Sequence, residues 1–438
     1  MIRAPARLRV EIGGFVFSRV KRVGPLAAIG MLAVVGLTLT ACTGSNAGSG
    51  NSDQNTVTQE LASAVDDAVA NALALSGSTE AVVGVWQGDD AAYVRGYGDG
   101  VTAATTFRGA QAAQPVVCAL LLDMVGKDQL ALGRKVEKDL ARQPGITDVT
   151  YAQLCDQTSG LDDYKAAFAD RFANNPTRPW PEQELIANGL ASSPLPWPGK
   201  NVYLSDTNAI VLDRAIRLNS RENSDELLRR QVFEPAGMTA TSYPKSFSDT
   251  ELPAGSLKPL TYPSSGGAPV CDAGVTEVQA LSPSMIRGAG ATLTTVTDLK
   301  DFYAKYLSGG FGGEQGAKAV AEFRPANNPE RDEAGEPTTE PDTAGTQMGF
   351  GVEKVGPLAG RSGAMTGSLT AAYSDPETGL TVVVALNNSS AGATFAQALA
   401  FQLAALTGAE LPWSAEDQGA RLGELAVCQA APEAEPEG

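Results

Sequence analysis

The sequence predicts an α+β fold: one antiparallel sheet assembled from both chain ends, helices flanking it, and an all-α subdomain inserted between the halves. Three observations carry that expectation. Short apolar runs suited to strands occupy residues 81–86 and 91–97 near the start, and 348–355, 369–373 and 380–386 near the end. Apolar residues at helical spacing dominate the stretch between them, 115–306. Turn chemistry joins the strand runs, with Gly88-Asp89-Asp90 in the first pair and Asp375-Pro376-Glu377-Thr378-Gly379 in the last.

The chain begins with Arg3, Arg7, Arg9, Arg19, Lys21 and Arg22, then an apolar run over 24–39 that ends in Leu39-Thr40-Ala41-Cys42. A basic stretch, a short apolar core and small residues at a cleavage point predict an export signal over residues 1–41. Cys directly after Leu-Thr-Ala resembles a bacterial lipobox. That implies a mature chain starting at a lipidated Cys42, tied to the extracytoplasmic face of the cell membrane. An uncleaved helical anchor is the other reading, and it also leaves the globular part outside the cytoplasm. Gly, Ser, Asn and Thr without apolar period predict a flexible tether over 42–58. An Ala-, Pro- and Glu-rich end predicts a disordered acidic tail over 430–438. One domain, 59–429, lies between them.

Within it, Leu61, Val65, Ala68, Val69, Ala72 and Leu73 mark the first amphipathic helix, and residues 394–406 the last. Residues 327–346, rich in Pro and Glu, read as a long loop too polar to pack. The formal charge is −17, and loss of 1–41 with its six basic residues and Glu11 makes it −22. That balance excludes nucleic acid as a partner and opposes adhesion to anionic lipid, although it also serves as plain surface solvation. Cys118, Cys155, Cys271 and Cys428 remain after Cys42. Four in an oxidising compartment predict two disulfides with three pairings open; four buried thiols are the alternative.

The stretch Phe107-Arg108-Gly109-Ala110-Gln111-Ala112-Ala113-Gln114 runs into an apolar helix opened by Pro115. An extended segment feeding a buried helix N-terminus collects free N–H donors, a natural place for an activated nucleophile. Two glutamines stand there instead, and an amide is neither nucleophile nor base. The chain contains no histidine, which removes Ser-His-Asp and Cys-His arrangements and His-ligated zinc. No P-loop, dinucleotide fingerprint or G-x-S-x-G elbow is present, so no cofactor and no metal are expected. Ser242-Tyr243-Pro244-Lys245 has S-x-x-K spacing, but Pro244 breaks the turn that would join its ends. Thr297 to Lys300 reads as a helix cap with a solvated Lys, and acidic pairs such as Asp162-Asp163 carry little weight in so acidic a chain.

Four passages, in order, resemble the serine β-lactamase and D-alanyl-D-alanine carboxypeptidase family, with class C β-lactamase-related domains the nearest in kind. The octet above is similar to F-R-x-G-S-x-x-K, with Gln111 for the Ser and Gln114 for the Lys. Leu154-Cys155-Asp156-Gln157-Thr158-Ser159-Gly160-Leu161 resembles L-L-x-H-T-S-G-L. Phe233-Glu234-Pro235-Ala236-Gly237-Met238-Thr239-Ala240-Thr241-Ser242 resembles F-x-P-L-G-M-x-x-T-S, the most specific of the four. Gly288-Ala289-Gly290-Ala291-Thr292-Leu293-Thr294-Thr295-Val296-Thr297-Asp298-Leu299 resembles A-G-G-L-x-S-T-x-x-D-L.

The resemblance implies that family's fold, a sheet from both chain ends with an inserted helical subdomain. It also implies the disulfides Cys118–Cys155 and Cys271–Cys428. The family's Y-x-N motif falls on Leu204-Ser205-Asp206, so Leu204 replaces Tyr and Asp206 replaces Asn; a slip of register would put Ser205 or Tyr203 at the hydroxyl position. Ser205 otherwise reads as the cap of a helix over 207–216. The K-T-G position holds Gly360-Arg361-Ser362-Gly363. Arg361 keeps a cation that cannot act as a base. It is either a carboxylate anchor or a surface residue on an edge strand. With every catalytic position substituted, the resemblance implies a catalytically inactive envelope protein. Its groove of Gln111, Gln114, Ser205, Asp206, Arg361 and Ser362 would hold a peptidoglycan stem peptide or an envelope protein without turnover. The competing expectation is an active serine hydrolase (esterase, β-lactamase or D-peptidase) with a non-standard nucleophile.

Overall fold

The computed structural model describes residues 53–288 and 290–429; the expected export signal, Cys42, most of the expected tether and the expected acidic tail lie outside them. Nine strands form one sheet: β1 (Gln54–Asn55), β2 (Ala81–Gln87), β3 (Ala91–Tyr97), β4 (Arg324–Pro325), β5 (Gln347–Met348), β6 (Glu353–Val355), β7 (Leu358–Met365), β8 (Ser368–Ser374) and β9 (Leu380–Leu386). Their order is β1-β3-β2-β9-β8-β7-β6-β5-β4, antiparallel throughout. The two ends of the chain meet where β9 pairs β2, from Leu380 opposite Gln87 to Leu386 opposite Ala81.

Strand side chains alternate between two cores. Val83, Val85, Ala371, Val382 and Val384 pack under α1 (Gln59–Ser76) and two C-terminal helices. Val82, Val94, Ala372, Val383 and Ala385 face the inserted helical part. Because helices cover both faces, β8 and β9 are buried at every residue and lack polar alternation. The inserted part starts with α2 (Pro115–Gly126), apolar on nearly every side and buried accordingly. α3 (Tyr151–Cys155) opens with a reciprocal Thr150–Gln153 capping box. The longer helices that follow are α4 (Lys165–Asn174), α5 (Glu182–Ala191), α6 (Asp206–Ser220), α7 (Val296–Leu307), α8 (Gly313–Ala321), α9 (Ala393–Leu406) and α10 (Ala415–Glu424).

The expected α+β architecture and both expected disulfides, Cys118–Cys155 and Cys271–Cys428, are present. Several expectations need correction. Helix does not run through 115–306. Between Gly237 and Val296 the chain makes short hairpin pairings, Leu260–Thr261 with Thr276–Glu277 and Ser264–Ser265 with Ala268–Pro269. Pro253, Pro259, Pro263 and Pro269 remove the donors a helix would need there. The tether ends early, because Gln54–Asn55 joins the sheet beside β3. The Pro- and Glu-rich loop docks on the body: Lys200 Nζ donates to Gly335 O at 2.8 Å, and Arg331 Nε to Asn201 Oδ1 at 2.7 Å. β7 is an interior strand, flanked by β6 and β8, so Arg361 is on no edge. Thr295, two residues before Thr297, caps α7 through its bond from Asp298 N–H.

Candidate functional site

The segment before α2 is clamped from both sides. Phe107 and Arg108 pair with Thr294 and Leu293, and Gly109 N–H donates to Thr292 O at 2.8 Å. From β8, the Ser368 and Thr370 hydroxyls donate to the carbonyls of Arg108 (2.5 Å) and Gly109 (2.8 Å). So held, Ala110 takes φ +45°, a conformation a residue with a Cβ seldom adopts. That turn aims Gln111 at β7. A Cβ on Gly363 would lie 2.2 Å from Gln111 N, so only glycine permits the approach.

The Gln111 amide, 4% exposed, is held at both ends. Its Oε1 accepts the Ala364 N–H at 2.9 Å, and its Nε2 donates to Asp206 Oδ2 at 2.5 Å. Only this orientation of the amide gives the N–H an acceptor and the carboxylate a donor. Asp206 opens α6. Ser205 caps that helix, its Oγ accepting from Thr207 N–H at 3.2 Å and donating to Asp162 O at 3.0 Å. Lys165 Nζ lies 3.1 Å from the same Asp206 oxygen. Asp163 Oδ1 accepts the backbone N–H of both Asp206 (3.3 Å) and Lys165 (3.1 Å). Two carboxylates and one ammonium thus meet at the Gln111 amide. Neither Lys165 nor Asp163 was singled out by the sequence, since nothing local distinguishes the pair Asp162-Asp163.

Burial, and then the neighbouring charge of Asp206, raise the Asp163 pKa to about 6. A carboxyl whose folded pKa exceeds its unfolded one adds stability that is complete below the unfolded value, near 3.8, and lost as pH rises through about 6. Asp163→Asn keeps the acceptor oxygen and removes the charge. It should raise the thermal midpoint at pH 7.5 by a few degrees, with the gap to the parent closing near pH 4 in denaturation scans. A constant gap across that range would contradict the assignment.

The other predicted positions divide. Gln157, at φ +63°, accepts from Ser205 N–H (3.0 Å) and Asn208 Nδ2 (2.8 Å) through its Oε1, so it fixes the start of α6. Gln114 is 3% exposed, and neither end of its amide has a partner. Arg361 is 6% exposed with Nη1 unpartnered; it lies near Tyr303, whose phenol burial pushes up with the Arg361 charge opposing, and whose hydroxyl donates to Ala112 O at 2.8 Å. The guanidinium is therefore buried by the start of α2. Ser362 points to the opposite face of β7, where it meets the Tyr373 hydroxyl, and does not join the site. Leu204 is 54% exposed; of the two register slips, Ser205 donates its hydroxyl to Asp162 O at 3.0 Å and the Tyr203 hydroxyl accepts from Asn201 Nδ2 at 3.2 Å, so neither is bonded to the centre. Chemically, the centre can hold an amide by its carbonyl and its N–H, and it is holding its own.

The Beta-lactamase family matches residues 65–407. No curated protein matches the sequence significantly. Among solved structures, a D-stereospecific amidohydrolase from Streptomyces sp. superposes with TM-score 0.63 at 21% identity, covering 76% of this chain and 94% of that one. D-amino acid amidase from Ochrobactrum anthropi SV3, complexed with D-phenylalanine, gives 0.61 at 17% identity, over 83% and 98%. The octameric penicillin-binding protein homologue from Pyrococcus abyssi gives 0.63 at 18%, over 80% and 77%. At such identities the likenesses speak to the fold, whereas the sequence match spans most of the chain: the protein belongs to the Beta-lactamase family.

Proposed function

We propose that this protein is a catalytically silent member of its family, an envelope lipoprotein anchored through Cys42 that binds a cell-wall peptide or an envelope protein without turnover. One observation carries the reading. The Gln111 side chain fills the place where a reacting amide would sit, its carbonyl on the Ala364 N–H and its N–H on Asp206. A preorganised backbone donor such as the Ala364 N–H is what helps stabilise an oxyanion in acyl transfer, and here it is already engaged. The competing hydrolase reading finds little support nearby. Ser205, Ser368 and Thr370 donate their hydroxyls to backbone carbonyls, and Ser159 donates to Asn208. Among the described residues, the Lys amines with partners meet carboxylates or carbonyls, never a hydroxyl.

Intact mass spectrometry of protein extracted from membranes tests both parts of the reading. The expected mass starts at an acylated Cys42, and incubation with a penicillin or a fluorophosphonate adds nothing. A stoichiometric adduct mapped to any Ser would overturn the silent-centre reading, and an unacylated chain the anchoring one.

A further inference from the structure

Lys165 opens α4 and Gln111 lies in the turn before α2, yet both reach one carboxylate oxygen. Asp206 Oδ2 accepts from Gln111 Nε2 at 2.5 Å and lies 3.1 Å from Lys165 Nζ. Two nitrogens sharing an oxygen in this way stand about 4–5 Å apart by ordinary hydrogen-bond geometry. The amide is fixed, since it is buried and its carbonyl oxygen receives the Ala364 N–H at 2.9 Å. The amine is adjustable: it ends a flexible four-carbon stem, and its side chain is 32% exposed. Lys165 and Ala364 line one cavity of about 280 Å³, so free space adjoins both partners. Asp163 Oδ1 accepts the backbone N–H of both Lys165 and Asp206 and so holds the two segments together. An amine, an amide carbonyl on a backbone donor, and a carboxylate touching both nitrogens are the parts an acyl transfer needs.

We propose that this centre acts once on itself, joining Lys165 Nζ to Gln111 Cδ as an isopeptide bond and releasing ammonia. Asp206 takes one proton from the Lys165 ammonium, and the lone pair so freed attacks Cδ. The carbonyl electrons move to Oε1, where the Ala364 N–H stabilises the oxyanion. Asp206 then gives its proton to Nε2, which it already contacts. The Cδ–Nε2 bond breaks, its electron pair leaves on ammonia, and the carbonyl re-forms. The new amide nitrogen sheds a second proton to that ammonia. A lysine ammonium and a primary amide thus become a secondary amide and an ammonium ion, with Asp206 a carboxylate again and no co-reactant consumed. A carboxylate is a weak base toward an ammonium, so the step is slow. Holding both partners in place compensates, because effective molarities for well-oriented groups reach about 10⁵–10⁸ M. One event per molecule is not turnover, so the inference goes beyond the silent centre without contradicting it.

Tryptic mapping by mass spectrometry of the protein extracted from membranes tests the proposal. Cys118–Cys155 joins the same two peptides, so the disulfide is reduced first. The peptide carrying Gln111 and the peptide carrying Lys165 should then appear as one branched species, lighter than the two together by one ammonia and uncut after Lys165. Lys165→Arg keeps a cation beside Asp206 but offers no nucleophilic amine, and it should abolish the branched species completely. Asp206→Asn cannot carry the proton and gives a second, independent loss. Separate peptides in the parent after prolonged incubation, Gln111 converted to Glu by water, or a branched species that survives Lys165→Arg overturns the proposal. The branched peptide would stand even if a Ser of the protein took up penicillin, so this inference and the silent-centre reading fail separately.

Discussion

Gln111→Ser combined with Gln114→Lys will leave hydrolysis of a chromogenic β-lactam within roughly tenfold of the parent's background. The pair restores the two residues whose loss is plainest in the sequence, and vacates the Ala364 N–H that Gln111 now occupies. A Ser there gains a seat for a substrate carbonyl and a Lys one turn on to take its proton. Turnover still needs a proton delivered to the leaving group, and general acid–base help of that kind is worth about 10²–10⁴ in rate. None of the substituted motif positions gives it, and the Lys165 ammonium is held in an ion pair with Asp206. Leu204 is solvent-exposed, and the Ser205 hydroxyl is committed to Asp162 O. Steady-state rates of the double variant measure this directly. A gain of a thousandfold would show that the substitutions at 204, 206 and 361 are incidental and the centre was silenced by two residues alone.

The outline of that centre was legible because its frame is made of local signals. The segment feeding α2, Pro115 at the first turn, and Ser205 as the cap of α6 all follow from short-range backbone chemistry, and each is where the sequence put it. What could not be read depends on contacts between distant segments. The amide of Gln111 reads in sequence as a missing nucleophile; its two partners, Asp206 and Ala364, are 95 and 253 residues away. Lys165 and Asp163 enter only because the loop before α4 folds over the start of α6. Arg361 could be taken for an edge residue since β4, β5 and β6, which bury β7, are two or three residues long and carry almost no periodic signal. The irregular stretch after Gly237 failed for a similar reason. Its apolar residues are buried singly, without the period that marks an element.

Cys118→Ala with Cys155→Ala should lower the thermal midpoint by roughly 5–10 °C, the largest loss of stability expected from any pair of substitutions here. The bond closes 37 residues, for which chain entropy gives about 4 kcal/mol. It also joins α2 to α3, and the loop carrying Phe350 leans on it: Gly351 N–H donates to Cys155 O at 2.8 Å, and a Cβ at Gly351 would lie 3.2 Å from Cys118 Sγ. Both cysteines are buried, so nothing relaxes cheaply when the bond is gone. By loop length alone, Cys271–Cys428, spanning 157 residues, should matter more, at about 5 kcal/mol. The opposite order is expected. Cys271 is exposed, and Cys428 follows the last helix, its neighbour Val427 held by a bond from its N–H to Leu75 O at 3.0 Å. Without the bond that end can fray while the rest stays folded, and the freedom gained in the folded state offsets much of the freedom returned to the unfolded chain. Thermal denaturation of the two double-alanine variants under non-oxidising conditions decides between burial and loop length. A larger drop for the Cys271 and Cys428 pair would show that loop closure dominates and that the C-terminal segment is part of the cooperative unit.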